Sequence, residues 1–184
     1  KPAIATALRL LHGLAYAVFM TLGVLLVRVP RGERPVASGP SALDGVQVSA
    51  RSAVRTPQFW CLWVVLCMNV TAGIGILEKA APMIQDFFKN TSTPVSVSAS
   101  AGFVALLSAA NMAGRIGWSS TSDLIGRKNI YRVYLGFGAI MYALIALFGD
   151  SSKPLFVLCA MVILSFYGGG FATVPAYLKD LFGT

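Results

Sequence analysis

The sequence predicts an all-α membrane protein with five bilayer-spanning helices, and three observations carry that prediction. Hydrophobic residues fill 56% of the 184 positions and charged residues only 12%, where soluble domains carry about a quarter. Fifteen cations and seven carboxylates cannot cover a body of this size with a wettable surface, and the mean hydropathy is +0.71. The apolar residues gather into runs of about 20 residues, the length a helix needs to cross about 30 Å of hydrocarbon. The cations fall mainly between those runs.

The first run extends from about Ile4 to Val27, with Arg9 and His12 near its beginning. Arg28 to Thr56 follows, rich in Gly, Pro, Ser and Arg, and reads as a solvated linker. The second run, Pro57 to Leu77, contains no charge. The third, about Val97 to Trp118, is interrupted only by Arg115. The fourth runs from Val133 to Gly149 and extends back through Tyr131; the fifth, Pro154 to Leu178, is again uncharged. All must be helices, because a lipid-exposed backbone has to satisfy its own hydrogen bonds. A β-barrel would need alternating polarity, and neither LCMNVTAGIGIL nor FVLCAMVILSF alternates. Trp60, Trp63, Trp118 and Tyr131 sit near segment ends, where interfacial aromatics anchor. Cys61, Cys67 and Cys159 lie within apolar runs and read as buried structural thiols.

Five spans alternate sides, so one face collects Arg28, Arg31, Arg34, Arg51, Arg55, Arg127, Lys128, Arg132 and Lys179. The positive-inside rule makes that face cytoplasmic, with residue 1 outside and residue 184 inside. The same asymmetry argues against a nucleic-acid partner despite a net charge of +8, because the cations sit where a membrane surface places them. One His, scattered Cys and acids confined to loops give no metal site, no cofactor motif and no catalytic constellation, so no enzyme is expected. Lys1 in place of an initiating Met, and an end at Thr184 directly after Leu-Phe-Gly, give the expectation of a partial chain.

The sharpest motif is the loop from Gly117 through Asp123 to Gly126, Arg127 and Lys128. A carboxylate, a glycine able to take positive φ and two cations make a charged turn between two spanning helices. Asp123 can pair with Arg127 or with a neighbouring helix end; an ordinary positive-inside loop is the plainer reading. This run resembles the signature loop of the major facilitator superfamily, G-x-x-x-D-x-x-G-R-[RK], with Ser119 in place of the first glycine. Arg55-Thr-Pro-Gln-Phe-Trp60, Arg115 to Arg127, and Phe166-Tyr-Gly-Gly-Gly-Phe-Ala-Thr-Val-Pro175 followed by Asp180-Leu-Phe-Gly-Thr184 together resemble the oxalate/formate antiporter family, relatives of monocarboxylate transporters.

The resemblance implies a partial major-facilitator-type bundle holding helices six through ten of twelve. Residues 1–28 would be the last helix of the N-terminal bundle, 29–56 the central cytoplasmic linker, and 57–184 a truncated part of the C-terminal bundle. The rest of the N-terminal bundle and the last two helices would lie outside this chain. The implied function is secondary active transport of small carboxylates, by antiport or proton symport. A transporter of another substrate class, a non-transporting membrane protein or an inactive fragment are the alternatives.

Arg115 interrupts an apolar run, and an intramembrane cation is expensive unless it meets a polar cavity or a partner. A guanidinium offers a carboxylate two parallel hydrogen bonds; snorkelling to the interface is the competing explanation. The resemblance matches Arg115 to a substrate-binding arginine and Tyr167 to a cavity-lining aromatic. Asn111, one turn before Arg115, shares its face. Gly73 and Gly75, and Gly168, Gly169 and Gly170 with Pro175, make two helices easy to bend, which suits gating; close helix packing is the alternative use of the same glycines.

Overall fold

The computed structural model describes residues 48–183. The expected first span, about Ile4 to Val27, and most of the linker lie outside the described residues, and with them the expected segments 1–28 and most of 29–56. A single-turn helix, α1 (Ala50–Ala53), occupies the end of the expected linker. Four long helices follow: α2 (Pro57–Phe87), α3 (Val97–Ile125), α4 (Arg127–Phe148) and α5 (Lys153–Phe182). All four are long and apolar enough to cross a membrane.

Each helix outruns its apolar stretch. Lipid dictates where a helix must be apolar, whereas continuation requires only backbone hydrogen bonds and a face to bury. Thus α2 runs past Leu77 because Ala80, Ile84 and Phe88 continue its buried stripe at helical spacing. Pro82 lies on the exposed side of that extension and does not end it. Hydroxyls set three of the starts: Thr56 accepts from Phe59 N, Ser96 from Ala99 N and Ser152 from Leu155 N. The connection between α3 and α4 is one residue, Gly126, at φ +87° and ψ 144°.

The helices alternate in direction. Arg127 at the start of α4 meets Asp180 near the end of α5, and Val48 N donates to Phe182 O at 3.0 Å. At the opposite end the Lys153 ammonium lies over the Phe88 ring and donates to Thr93. The central element is α5: half of its apolar window is buried, against 22% for each of the others. Phe156, fully buried, gathers Phe87, Phe88 and Phe103 at one end of the bundle. Ile130, Tyr131, Tyr134 and Phe166 form the core at the other.

Two sequence expectations need correction. Trp118 and Tyr131 are not headgroup anchors. Trp118 Nε1 donates to Ser165 Oγ at 3.1 Å, and the buried Tyr131 hydroxyl donates to Gly170 O at 2.7 Å. Their polar tips find partners inside the bundle, which removes the need for water. Of the cysteines only Cys159 is buried; Cys61 and Cys67 are exposed on the surface of α2.

Candidate functional site

The charged turn is built by backbone constraint first. Because Gly126 alone joins α3 to α4, the last turn of one and the first turn of the other are forced together. Arg127 lies at that corner with its side chain only 16% exposed. It pairs with Asp123 on α3, and its Nε donates to Asp180 Oδ2 on α5 at 3.2 Å. It also donates to Ser122 Oγ, itself buried and donating to Ser119 O. From α4, one guanidinium therefore donates to acceptors on both α3 and α5, which its planar fork allows and an ammonium would not. Lys128 and Gly126 are exposed.

A second constellation lies deeper, where three consecutive glycines on α5 make room for three different neighbours. A Cβ on Gly168 would strike the Asn111 carbonyl and side chain on α3. One on Gly169 would meet Trp118 and the Tyr134 hydroxyl, and one on Gly170 the Asn69 amide on α2. Successive residues on a helix point about 100° apart, so this run serves α3 at Gly168, α3 and α4 at Gly169, and α2 at Gly170. Gly73 receives the Tyr167 ring, and Gly114 packs on the Ser165 backbone. Gly75 has nothing near it. The helix is unbroken through Gly168–Gly170 and through Pro175, which is exposed.

Arg115, Asn111 and Tyr167 have different surroundings among the described residues. Arg115 is exposed on the flank of α3, beside Met112 and Ile116, and makes no ion pair or hydrogen bond among the described residues. Asn111 turns toward α5 instead: its Oδ1 is buried against Gly168 with no hydrogen-bond partner among the described residues. Tyr167 packs on Gly73 and meets the edge of Phe171 at 5.3 Å. Among the described residues no group of His, Cys, Asp and Glu could hold a metal ion.

Comparison with known proteins decides what this bundle is. The family model of the Major Facilitator Superfamily matches residues 5–183. The chain belongs to the major facilitator superfamily. Among curated members it is 27% identical over 174 residues to the oxalate:formate antiporter of Oxalobacter formigenes, covering 94% of this chain and 39% of that protein. It is 23% identical over 172 residues to the uncharacterized MFS-type transporter YhjX of Escherichia coli (strain K12), covering 90% of this chain and 39% of that protein. The chain thus spans about two fifths of the length of these superfamily relatives. No solved structure gives a significant match.

Within this superfamily member, sequence reasoning found the charged turn but missed half of what holds it. Asp180 is the second carboxylate on Arg127, and Ser122 the buried hydroxyl. Asn69 was also missed: it is 5% exposed, and its Nδ2 points to the Tyr167 carbonyl at 3.5 Å. A lone asparagine in the uncharged run Pro57–Leu77 was the available signal, because an amide in hydrocarbon needs an interhelical partner.

Proposed function

We propose that this chain is part of a secondary transporter that moves small organic anions, oxalate, formate or other mono- and dicarboxylates, across a cell membrane by alternating access. One observation carries the proposal: a guanidinium, Arg115, lies well within an apolar superfamily helix, nearer its Gly126 end, with no carboxylate to neutralise it among the described residues. A cation on a membrane-spanning helix without a protein anion suits a substrate that brings its own. The similarity to an oxalate:formate antiporter over nearly the whole chain supports that substrate class.

In this reading residues 57–184 belong to the C-terminal bundle, 29–56 to the central linker and 1–28 to the last helix of the N-terminal bundle. The end bearing Gly126 faces the cytoplasm, since six described cations there meet only two carboxylates. Arg115 binds the substrate carboxylate, and Asn111 and Tyr167 border its path. The turn of Asp123, Gly126, Arg127 and Lys128 holds one conformational state. Bending near Gly168–Gly170 and Pro175, and near Gly73 and Gly75, accompanies the change of access. No ATP-binding motif occurs in the sequence, so a solute gradient is the driving force in this account.

The test is exchange in proteoliposomes holding the full-length protein. External labelled oxalate should enter against internal formate and be competed by other small carboxylates but not by a neutral sugar. Uptake of a neutral solute with no carboxylate exchange would overturn the substrate class.

A further inference from the structure

At the end of the bundle that bears Gly126, a groove of about 560 Å³ opens between the start of α2, the start of α4 and the end of α5. Its walls are apolar: Leu62 and Val65 from α2, Leu135 from α4, and Tyr177 and Leu181 from α5. Its polar lining is Gln58, Lys128 and Arg132, with the Tyr131 hydroxyl turned away to Gly170. Among the described residues no carboxylate lines it. The two acids described at this end, Asp123 and Asp180, are both held by Arg127, so neither neutralises Lys128 or Arg132.

The backbone reinforces that bias toward anions. α4 starts without a side-chain cap and with no acid in its first turn; its first residues are Arg127 and Lys128. Positive side chains and the positive end of the helix dipole therefore face the same corner, an arrangement that an anion relieves. Lys128 and Arg132 stand one turn apart on one face, about 6 Å along the axis, a span a phosphodiester bridges. From there the apolar wall continues along α4 to Leu135, about 10 Å from Lys128, which suits the upper part of an acyl chain.

We propose that this groove is a binding site for an anionic phospholipid, with the phosphate between Lys128 and Arg132 and one acyl chain along Leu62, Val65 and Leu135. Basic pockets between spanning helices select anionic headgroups in this way, and the apolar wall distinguishes a lipid from a free anion. The site shares Lys128 with the turn assigned above to one conformational state, but it uses neither Arg115 nor the glycine run, and lipid binding is read without any transport measurement.

Native mass spectrometry of the purified, delipidated full-length protein tests it, with dioleoyl phosphatidylglycerol or dioleoyl phosphatidylcholine added back in detergent. The expected result is a preference of at least about fivefold for phosphatidylglycerol, lost in Lys128→Gln/Arg132→Gln. The charge-preserving Lys128→Arg/Arg132→Lys should keep the preference, as should Arg51→Gln/Arg55→Gln, whose residues lie outside the groove. Equal retention of the two lipids, or an unchanged preference in the double glutamine variant with wild-type circular dichroism, overturns the proposal. So does displacement of the lipid by millimolar inorganic phosphate, which would mark a small-anion site. A protein dimer without lipid selectivity would assign the groove to a second copy. Protection of Cys61 from maleimide in the absence of any lipid would assign it to another segment of the protein, and either result overturns lipid binding.

Discussion

Arg127 Nε donates to Asp180 Oδ2 at 3.2 Å across 53 residues of sequence, tying the first turn of α4 to the last turn of α5. The same guanidinium holds Asp123 and Ser122 on α3, so one side chain closes three helix ends. Asp180→Asn keeps size and a weaker acceptor, and both carboxylates are more than half exposed. Its expected cost is about 0.5–1 kcal/mol. Arg127→Ala leaves two carboxylates facing each other and a buried hydroxyl without its donor, and should cost about 2–3 kcal/mol. Midpoints of unfolding in detergent, with the Arg127→Ala/Asp180→Asn double variant, read the coupling directly. Equal effects of the two single changes would contradict the shared role of Arg127.

The glycines separate into two classes with opposite expected outcomes. Gly114→Ala and Gly168→Ala drive a methyl into a backbone carbonyl on the facing helix, which cannot swing aside. Each should lower stability by about 1–3 kcal/mol. Gly75→Ala and Gly102→Ala enter open space within helices and should be neutral or gain up to about 1 kcal/mol. Thermal unfolding of the four variants side by side checks the division. Gly75 also separates packing from bending: if it serves motion, Gly75→Ala slows transport while leaving stability intact.

Gly126 poses a different problem, since a Cβ there meets nothing but the φ is +87°. At ψ 144° the backbone lies in a region that side chains strongly disfavour. Both Gly126→Ala and Gly126→Asn should therefore destabilise the α3–α4 turn by about 1–3 kcal/mol. Unfolding midpoints equal to wild type would contradict the one-residue connection.

Tyr131→Phe removes a 2.7 Å buried hydrogen bond to Gly170 O while keeping the ring. Hydrogen bonds between membrane helices average about 0.6 kcal/mol and reach about 1.7, and a short, fully buried one belongs near the upper end. Tyr134→Phe, with its hydroxyl 3.4 Å from Thr173 Oγ1, should cost less. The ratio of the two unfolding shifts checks the ranking.

The positions of the second to fifth spans were legible because hydrocarbon imposes a long apolar run, which a sequence displays openly. The helix ends were not. Lys79 to Phe87 and Arg127 to Arg132 are helical for reasons of backbone continuity and tertiary packing, and neither leaves a hydropathy signal. Asp123 and Arg127 were readable as neighbours because they are four residues apart across one glycine. Asp180 was not, since only the fold brings it beside Arg127. The glycine run was readable as small residues, but its assignment to Asn111, Trp118, Tyr134 and Asn69 depends on how three other helices are rotated. Trp118 and Tyr131 misled because proximity to a segment end resembles an interfacial position until the buried partners Ser165 and Gly170 are seen.

Binding of labelled oxalate and formate to the purified full-length protein, compared with Arg115→Ala and Arg115→Lys, tests the central claim most directly. If Arg115 receives the substrate carboxylate, the alanine variant should lose at least about tenfold in affinity, equivalent to about 1.4 kcal/mol. The lysine variant should recover part of that, keeping the charge without the paired hydrogen bonds. Unchanged affinity in the well-folded alanine variant would contradict the account.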